Sequence, residues 1–209
     1  MSTCKSRMVR TMVLHPCMWH AVLEVVHALL SDGAKVSVKT KDGESPLHMA
    51  CKEGHTEVVR ALLVSRGAEL DLLSNYGVSS LHDASLGGHT EVVRALLSAG
   101  AKVNLLARGA MTSLHLACFV GHVEVVCALL SGGAKVDLRT KDSQQSALHV
   151  AFRFGQIGAV RALLAAGARA DLRDIDGLTP LDLVPSALRA EVERLVQQAK
   201  EERENNINK

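Results

Sequence analysis

The sequence has few aromatic residues and no long apolar run. Phe, Trp and Tyr make up 2% of its 209 residues, although 47% are hydrophobic. Leu, Val and Ala must therefore fill the interior, which suits closely packed helices better than a barrel or a sandwich. No apolar stretch approaches the ~18 residues that span a bilayer, so we expect no membrane segment.

Neither an excess of one charge nor a paired cysteine motif is present. The 24 basic and 22 acidic side chains nearly cancel to +2, so neither nucleic acid nor a membrane surface is expected as the main partner. The five cysteines include no CxxC pair, which argues against a disulfide framework or a zinc ribbon. We expect a cytoplasmic location, with the nucleus as an alternative. The basic residues that precede Glu24 make a mitochondrial presequence a further alternative to a plain N-terminal segment over residues 1–13.

The sequence does contain a strong internal repeat. Leu-His pairs begin at positions 47, 81, 114 and 148, and Leu181-Asp182 occupies the corresponding fifth position. Successive pairs are therefore separated by 33 or 34 residues. The nonamer HTEVVRALL occurs twice without a difference, at 55–63 and at 89–97. A fixed period of this length is the signature of stacked repeats, in which each unit buries its apolar face against a copy of itself.

Each unit predicts two helices and a turn. In SPLHMACKEG, Ser45 is a helix cap, Pro46 suits the first helical position and Gly54 ends the helix. In HTEVVRALL, apolar residues recur at helical spacing, which predicts an amphipathic second helix. Asn75 and Gly77 then predict a turn before the next cap.

These motifs resemble ankyrin repeats. SPLHMACKEGHTEVVRALL and SLHLACFVGHVEVVCALLSGGAKVD carry the Pro-Leu-His, Gly-His, Val-Val, Leu-Leu and Gly-Ala elements of that family. The resemblance implies an all-α, ankyrin-type helical repeat solenoid of about six units over residues 14–196. Four clear repeats have first helices near 45, 79, 112 and 146, between degenerate capping units at 14–34 and 177–196. A polar tail, 197–209, is expected to extend the last helix.

No motif predicts catalysis or a cofactor. The sequence has no GxSxG elbow, no HExxH and no glycine-rich phosphate loop, so we expect a protein that is not an enzyme. Asp42, Asp142 and Asp176 belong to turns, and Cys51 and Cys118 are expected to be compact core residues.

The ten histidines raise the question of a metal site. Four occupy one repeat position, His48, His82, His115 and His149, and in ankyrin-like stacks this side chain bonds backbone or the capping Ser or Thr. Stacked repeats are ~10 Å apart, whereas zinc needs nitrogen ligands at ~2 Å, so these four cannot share an ion. The less favoured alternative is a metal site in the N-terminal unit, with His15, Cys17, His20 and His27.

Candidate binding residues lie at repeat positions that packing between neighbouring repeats does not constrain. The resemblance implies that the hairpin tips and the exposed end of each first helix line a concave face. There the first repeat has Lys52 and Glu53, whereas later repeats have apolar and aromatic residues, which are enriched in interface hot spots. The alternative is that the two phenylalanines fold inward over neighbouring helices. The candidates are Tyr76, Val78, Leu86, Arg108, Met111, Phe119, Val120, Lys141, Arg153 and Phe154.

The resulting prediction is a monomeric, non-enzymatic interaction module, a scaffold or adapter, that binds a protein or peptide on its concave face. A substrate-recognition subunit of a ubiquitin ligase is the alternative within the same class. Many such ankyrin proteins end in a suppressor-of-cytokine-signalling box, and the polar residues after 196 do not have its apolar content. Ankyrin hairpins are also often hydroxylated at an asparagine, which here is Asn104, although Lys102 stands where an acid is usual.

Overall fold

The computed structural model describes the backbone of residues 16–65 and 68–207 and the side chains of 23–65, 68–107, 109–199 and 201. These residues form two compact units that divide between positions 35 and 36. The first unit contains helix α1, Pro16–Ser31, which ends in a turn at Gly33.

The second unit consists of paired helices. The pairs are α2 and α3 (Pro46–Lys52, Thr56–Val64), α4 and α5 (Ser80–Gly87, Thr90–Ser98), α6 and α7 (Ser113–Val120, Val123–Ser131), and α8 and α9 (Ala147–Arg153, Ile157–Ala165). Short 3-10 turns at Arg108–Ala110, Pro180–Leu183 and Ser186–Leu188 and the long helix α10, Arg189–Ile207, complete it. Within the described ranges there is no strand, and one isolated antiparallel bridge joins Arg139 to Ser146.

The helix pairs stack in two layers. First helices α2, α4, α6 and α8 contact one another in order, and second helices α3, α5, α7, α9 and α10 do the same. The core between the layers is aliphatic, since Leu, Ala and Val at equivalent repeat positions are buried. The predicted all-α repeat solenoid is therefore confirmed.

Small core residues fit between the layers. Cys51 and Cys118 are fully buried, and burial raises the pKa of both thiols. A thiol that stays protonated is a poor nucleophile and a poor metal ligand. The interpretation of both cysteines as compact core residues is confirmed.

The repeated histidines join each repeat to the next. In the first repeat the Ser45 hydroxyl lies 2.8 Å from His48 Nδ1, and His48 Nε2 donates to the Val78 carbonyl at 3.1 Å. A carbonyl only accepts, so Nε2 carries the proton and Nδ1 accepts from the serine. In the same way, Nε2 of His82 donates a hydrogen bond to the backbone carbonyl of Met111, that of His115 to the carbonyl of Gln145 and that of His149 to the carbonyl of Leu178.

These imidazoles are held neutral. Burial lowers the pKa of each of the four, and that of His115 falls to about 4. The predicted structural role, with Ser45, Ser79, Thr112 and Ser146 as partners, is confirmed by hydrogen bonds in all four repeats.

The C-terminal unit replaces this histidine with an acid that caps its own turn. The Asp182 carboxylate accepts from the Thr179 amide at 2.8 Å and from the Thr179 hydroxyl at 2.6 Å. The first helix of this unit is reduced to the 3-10 turn that precedes Pro185, and α10 then runs to Ile207 without interruption. The stretch after 196 thus extends the last helix as far as the described residues go.

Candidate interaction face

The exposed ends of α2, α4, α6 and α8, with the turns that lead into these helices, form one surface, here called the first-helix face. Four of its apolar side chains are between 39% and 48% exposed, whereas apolar residues of the core are nearly inaccessible. We call these four the apolar strip: Leu86, Phe119, Val120 and Phe154. In the first repeat the equivalent end of α2 carries exposed Lys52 and Glu53.

The two phenylalanines of the apolar strip contact each other across adjacent repeats. The ring centroids of Phe119 and Phe154 are 4.6 Å apart and the rings are inclined by 78°, an edge-to-face arrangement. Each ring covers part of the other, yet 43% of Phe119 and 48% of Phe154 remain exposed. Neither ring is therefore folded fully inward, and nearly half of each remains in solvent.

The remaining candidates lie in the turns that lead into the first helices and at the end of α8. Tyr76 is exposed and its hydroxyl donates to Asp42 Oδ1 at 3.4 Å. Val78 and Met111 are half-buried, and their carbonyls accept the histidine bonds described above. Of the two basic residues whose side chains are described, Lys141 lies exposed at a turn and Arg153 lies exposed at the end of α8. The side chain of Arg108 lies outside the described residues.

The fourth turn is one residue longer than the others, which changes one predicted equivalence. Counted along the sequence, Gln144 follows Lys141 by three residues, as Met111 follows Arg108, so the sequence predicts Gln144 at the position of Val78 and Met111. The hydrogen bonds instead place Gln145 there, because the Thr140 amide donates to its carbonyl at 2.9 Å, as the amide of Ser74 does to Val78. Gln144 occupies the turn with φ of 54°, in the left-handed region that favours glycine.

Asp83 is a residue of this face that sequence reasoning missed. It is partly buried on α4, and burial raises the pKa of its carboxyl to about 7, while Lys52 lowers it and Glu44 raises it. Lys52 is already paired with Glu44, Nζ to Oε1 at 3.7 Å. A signal was present in the sequence, because the residue after Leu-His is apolar in the other three repeats: Met49, Leu116 and Val150.

Comparison with protein families agrees with this architecture. A family model described as ankyrin repeats (3 copies) matches residues 14–107 and 106–174, well over half of the chain. The chain belongs to the ankyrin repeat family. Ankyrin repeats are generally protein–protein interaction modules and the family is typically non-enzymatic. A search of curated proteins found no match.

Two serines of this ankyrin repeat protein replace the proline that starts the first helix in the family pattern. Ser80 and Ser113 stand where the first clear repeat has the helix-starting Pro46. Both serines are fully buried. The Ser80 hydroxyl interacts with the Cys51 thiol, whereas the Ser113 hydroxyl has no hydrogen-bond partner among the described residues. A buried hydroxyl without a partner opposes folding, so Ser113 is a weak point of the stack.

Asn104 has a structural role in the ankyrin array. Its Oδ1 accepts from the Lys135 amide at 2.8 Å and its Nδ2 donates to the Gly133 carbonyl at 3.3 Å. Asp71 and Asp137 accept the equivalent amides in their repeats, so this side chain joins one repeat to the next. Its hydroxylation stays a prediction.

Neither a metal centre nor a membrane span emerges from the part of the chain that is described. There, no group of three or more His, Cys, Asp or Glu residues is arranged to hold a metal ion, and no helix is long and apolar enough to cross a membrane. Of the predicted ligand fragment, His27 falls within the described side chains. His15 and the side chains of Cys17 and His20 lie outside them.

Proposed function

We propose that this ankyrin repeat protein is a non-enzymatic adapter that binds another protein or a peptide through its first-helix face. The observation that supports this most strongly is the apolar strip, four large side chains that are each more than a third exposed on neighbouring repeats. A continuous exposed apolar patch is usually an interaction site.

The arrangement of the face supports a rigid binding surface. The histidine bonds hold the turn carbonyls of Val78 and Met111 to the preceding repeat. Residues on such a scaffold lose little conformational freedom when a partner binds, so more of the contact energy contributes to affinity. Phe119 and Phe154 are half-exposed aromatic anchors of the kind found at hot spots.

The exposed rings set the scale of the expected effect. An aromatic side chain buries about 150–250 Å², so the exposed halves of the two rings offer roughly 180 Å², worth at most about 4.5 kcal/mol at ~25 cal/mol/Å². Part of this is lost to ordering and desolvation. A net loss of about 2 kcal/mol on replacing both rings would weaken binding roughly 30-fold.

The test is quantitative affinity purification with the purified chain as bait. A Phe119→Glu, Phe154→Glu double variant is compared with the wild type and with a Val64→Glu, Ser98→Glu control. The control adds the same charge at exposed ends of second helices, where Val64 is 88% exposed. Circular dichroism establishes that all three chains are equally helical.

We expect the control to retain the partners of the wild type and the double variant to lose at least one of them. If the folded double variant keeps every partner at wild-type yield, the first-helix face is not the binding surface.

As part of the same proposal, the chain acts as a monomer in the cytoplasm or nucleus. The unpaired cysteine pattern of the sequence supports that location.

A further inference from the structure

Asp83 interrupts an otherwise apolar column of the first-helix face. Within the described residues its carboxylate makes no hydrogen bond and no ion pair, although the side chain is partly buried. Removing a carboxylate from water without a partner costs free energy. The three equivalent positions avoid that cost with Met49, Leu116 and Val150.

No cation in the described part of the chain compensates Asp83. Lys52 attracts the carboxylate, but its ammonium pairs with Glu44 and its attraction is smaller than the effect of burial, so the Asp83 pKa stays at about 7. Lys52 and Glu44 are the two charged groups that act on Asp83, and because they pair with each other the Asp83 carboxylate is left as the uncompensated charge. This position therefore favours a positively charged group.

Asp83 lies beside Leu86, at one end of the apolar strip. Asp83 and Leu86 are three residues apart on α4, and residues at that spacing lie on the same side of a helix. The next helix, α6, brings Phe119, whose ring contacts Phe154. Neighbouring packed helices are about 10 Å apart, a distance that about three residues of extended peptide cover at ~3.3 Å each.

We propose that the first-helix face binds an extended protein segment, with an arginine or lysine paired to Asp83 and a large apolar side chain about three residues away against Phe119 and Phe154. The charge complementarity at Asp83 and the apolar surface beside it together specify this occupant. The inference rests on the proposed function, because it identifies the chemistry of the partner at the same face.

The probe is a phage-displayed library of random dodecapeptides selected on the purified full chain. The best selected peptide is then synthesised with a fluorophore, together with an analogue in which its basic residue is norleucine. Affinities for both are measured by fluorescence anisotropy with four chains: wild type, Asp83→Asn, Phe119→Glu with Phe154→Glu, and the isosteric control Glu124→Gln. Glu124 is an exposed acid on second helix α7, away from the first-helix face.

We expect selected peptides that combine a basic and a large apolar residue about three positions apart. Asp83→Asn should lower the affinity for the basic peptide at least tenfold, because the lost contact is a charge-assisted pair. The affinity for the norleucine analogue should stay within twofold of its value for the wild type. Glu124→Gln should change neither affinity.

The other outcomes overturn the inference, and they separate it from the proposed function. If peptides without a basic residue are selected, or Asp83→Asn has no effect while the double phenylalanine variant abolishes binding, the face binds proteins by other chemistry. If the selected peptide binds both variants as tightly as the wild type, the inference and the proposed function fail together. If the library gives no peptide that binds, the face does not take extended segments.

Discussion

Replacing Ser113 with alanine is expected to stabilise the protein. The Ser113 hydroxyl is fully buried at the start of α6 and has no hydrogen-bond partner among the residues that the structure describes. An unsatisfied buried polar group costs about 1–3 kcal/mol, and removing it recovers this at the expense of a void of one oxygen atom. We therefore expect the free energy of unfolding to rise by about 1 kcal/mol, or the melting temperature by about 2–4 °C for a chain of this size.

Ser146→Ala is the matched control. Ser146 is also fully buried at the start of a first helix, but its hydroxyl lies 2.8 Å from His149 Nδ1 and it caps α8. Losing that cap and partner should lower the free energy of unfolding by about 1–2 kcal/mol. Identical chemical changes in adjacent repeats are thus expected to act with opposite signs.

Ser113→Pro tests the same site in a second way. Thr112 is extended, with ψ of 166°, as a residue before proline must be, and Pro46 occupies this position in the first clear repeat. Proline also restricts the unfolded chain, which adds roughly 0.4–1 kcal/mol. The assay is urea unfolding followed by circular dichroism, with the slopes compared first because repeat arrays do not always unfold in two states. If both Ser113 variants destabilise as much as Ser146→Ala, the hydroxyl is satisfied and the reasoning is refuted.

Two further predictions concern the turns and the histidines. Gln144→Gly should raise the free energy of unfolding in urea by about 1 kcal/mol, because Gln144 has a φ of 54°, which glycine adopts without strain. Gly177→Ala should lower the free energy of unfolding by a similar amount, because Gly177 has a φ of 77° although there is free space for a Cβ atom. Changes of the same sign and size in the free energy of unfolding for both variants would contradict this. His115 has a pKa of about 4 in the folded protein, below its ordinary value of 6.5, so the unfolded chain takes up the proton first and stability is lost as pH falls below 6.5. Urea unfolding is measured between pH 6.5 and 5 in an Asp83→Asn background, which removes the carboxyl that titrates in the opposite sense. His115 alone should lower the free energy of unfolding by about 1 kcal/mol per pH unit, and a flat profile would show that the histidines are not buried neutral.

The repeat pattern predicted those features that depend on local sequence and recur in every repeat. Helix starts near 45, 79, 112 and 146 follow from the capping residues, and first helices begin at Pro46, Ser80, Ser113 and Ala147. The role of the four histidines was implied by the resemblance to ankyrin repeats, and each histidine has a Ser or Thr three residues before it. These interactions repeat with the unit, so one motif predicted all of them.

Features that depend on differences between neighbouring repeats were not predicted. The pKa of Asp83 results from burial beside Lys52 and Glu44 of the preceding repeat, which spacing alone does not reveal. The extra residue in the fourth turn moved Gln145, and not Gln144, to the position that accepts from the Thr140 amide. The edge-to-face contact of Phe119 with Phe154 likewise depends on side-chain direction across two helices.

The most direct test of the central claim is site-specific photo-cross-linking. A benzophenone-bearing phenylalanine analogue replaces Phe119 on the first-helix face or, as the control, Val64, which is exposed at the end of second helix α3. Each bait is irradiated in cell extract, and cross-linked proteins are identified and quantified by mass spectrometry. We expect a discrete partner cross-linked at position 119 with at least tenfold the yield at position 64. Cross-linking of that partner from position 64 with none from position 119 would contradict the account.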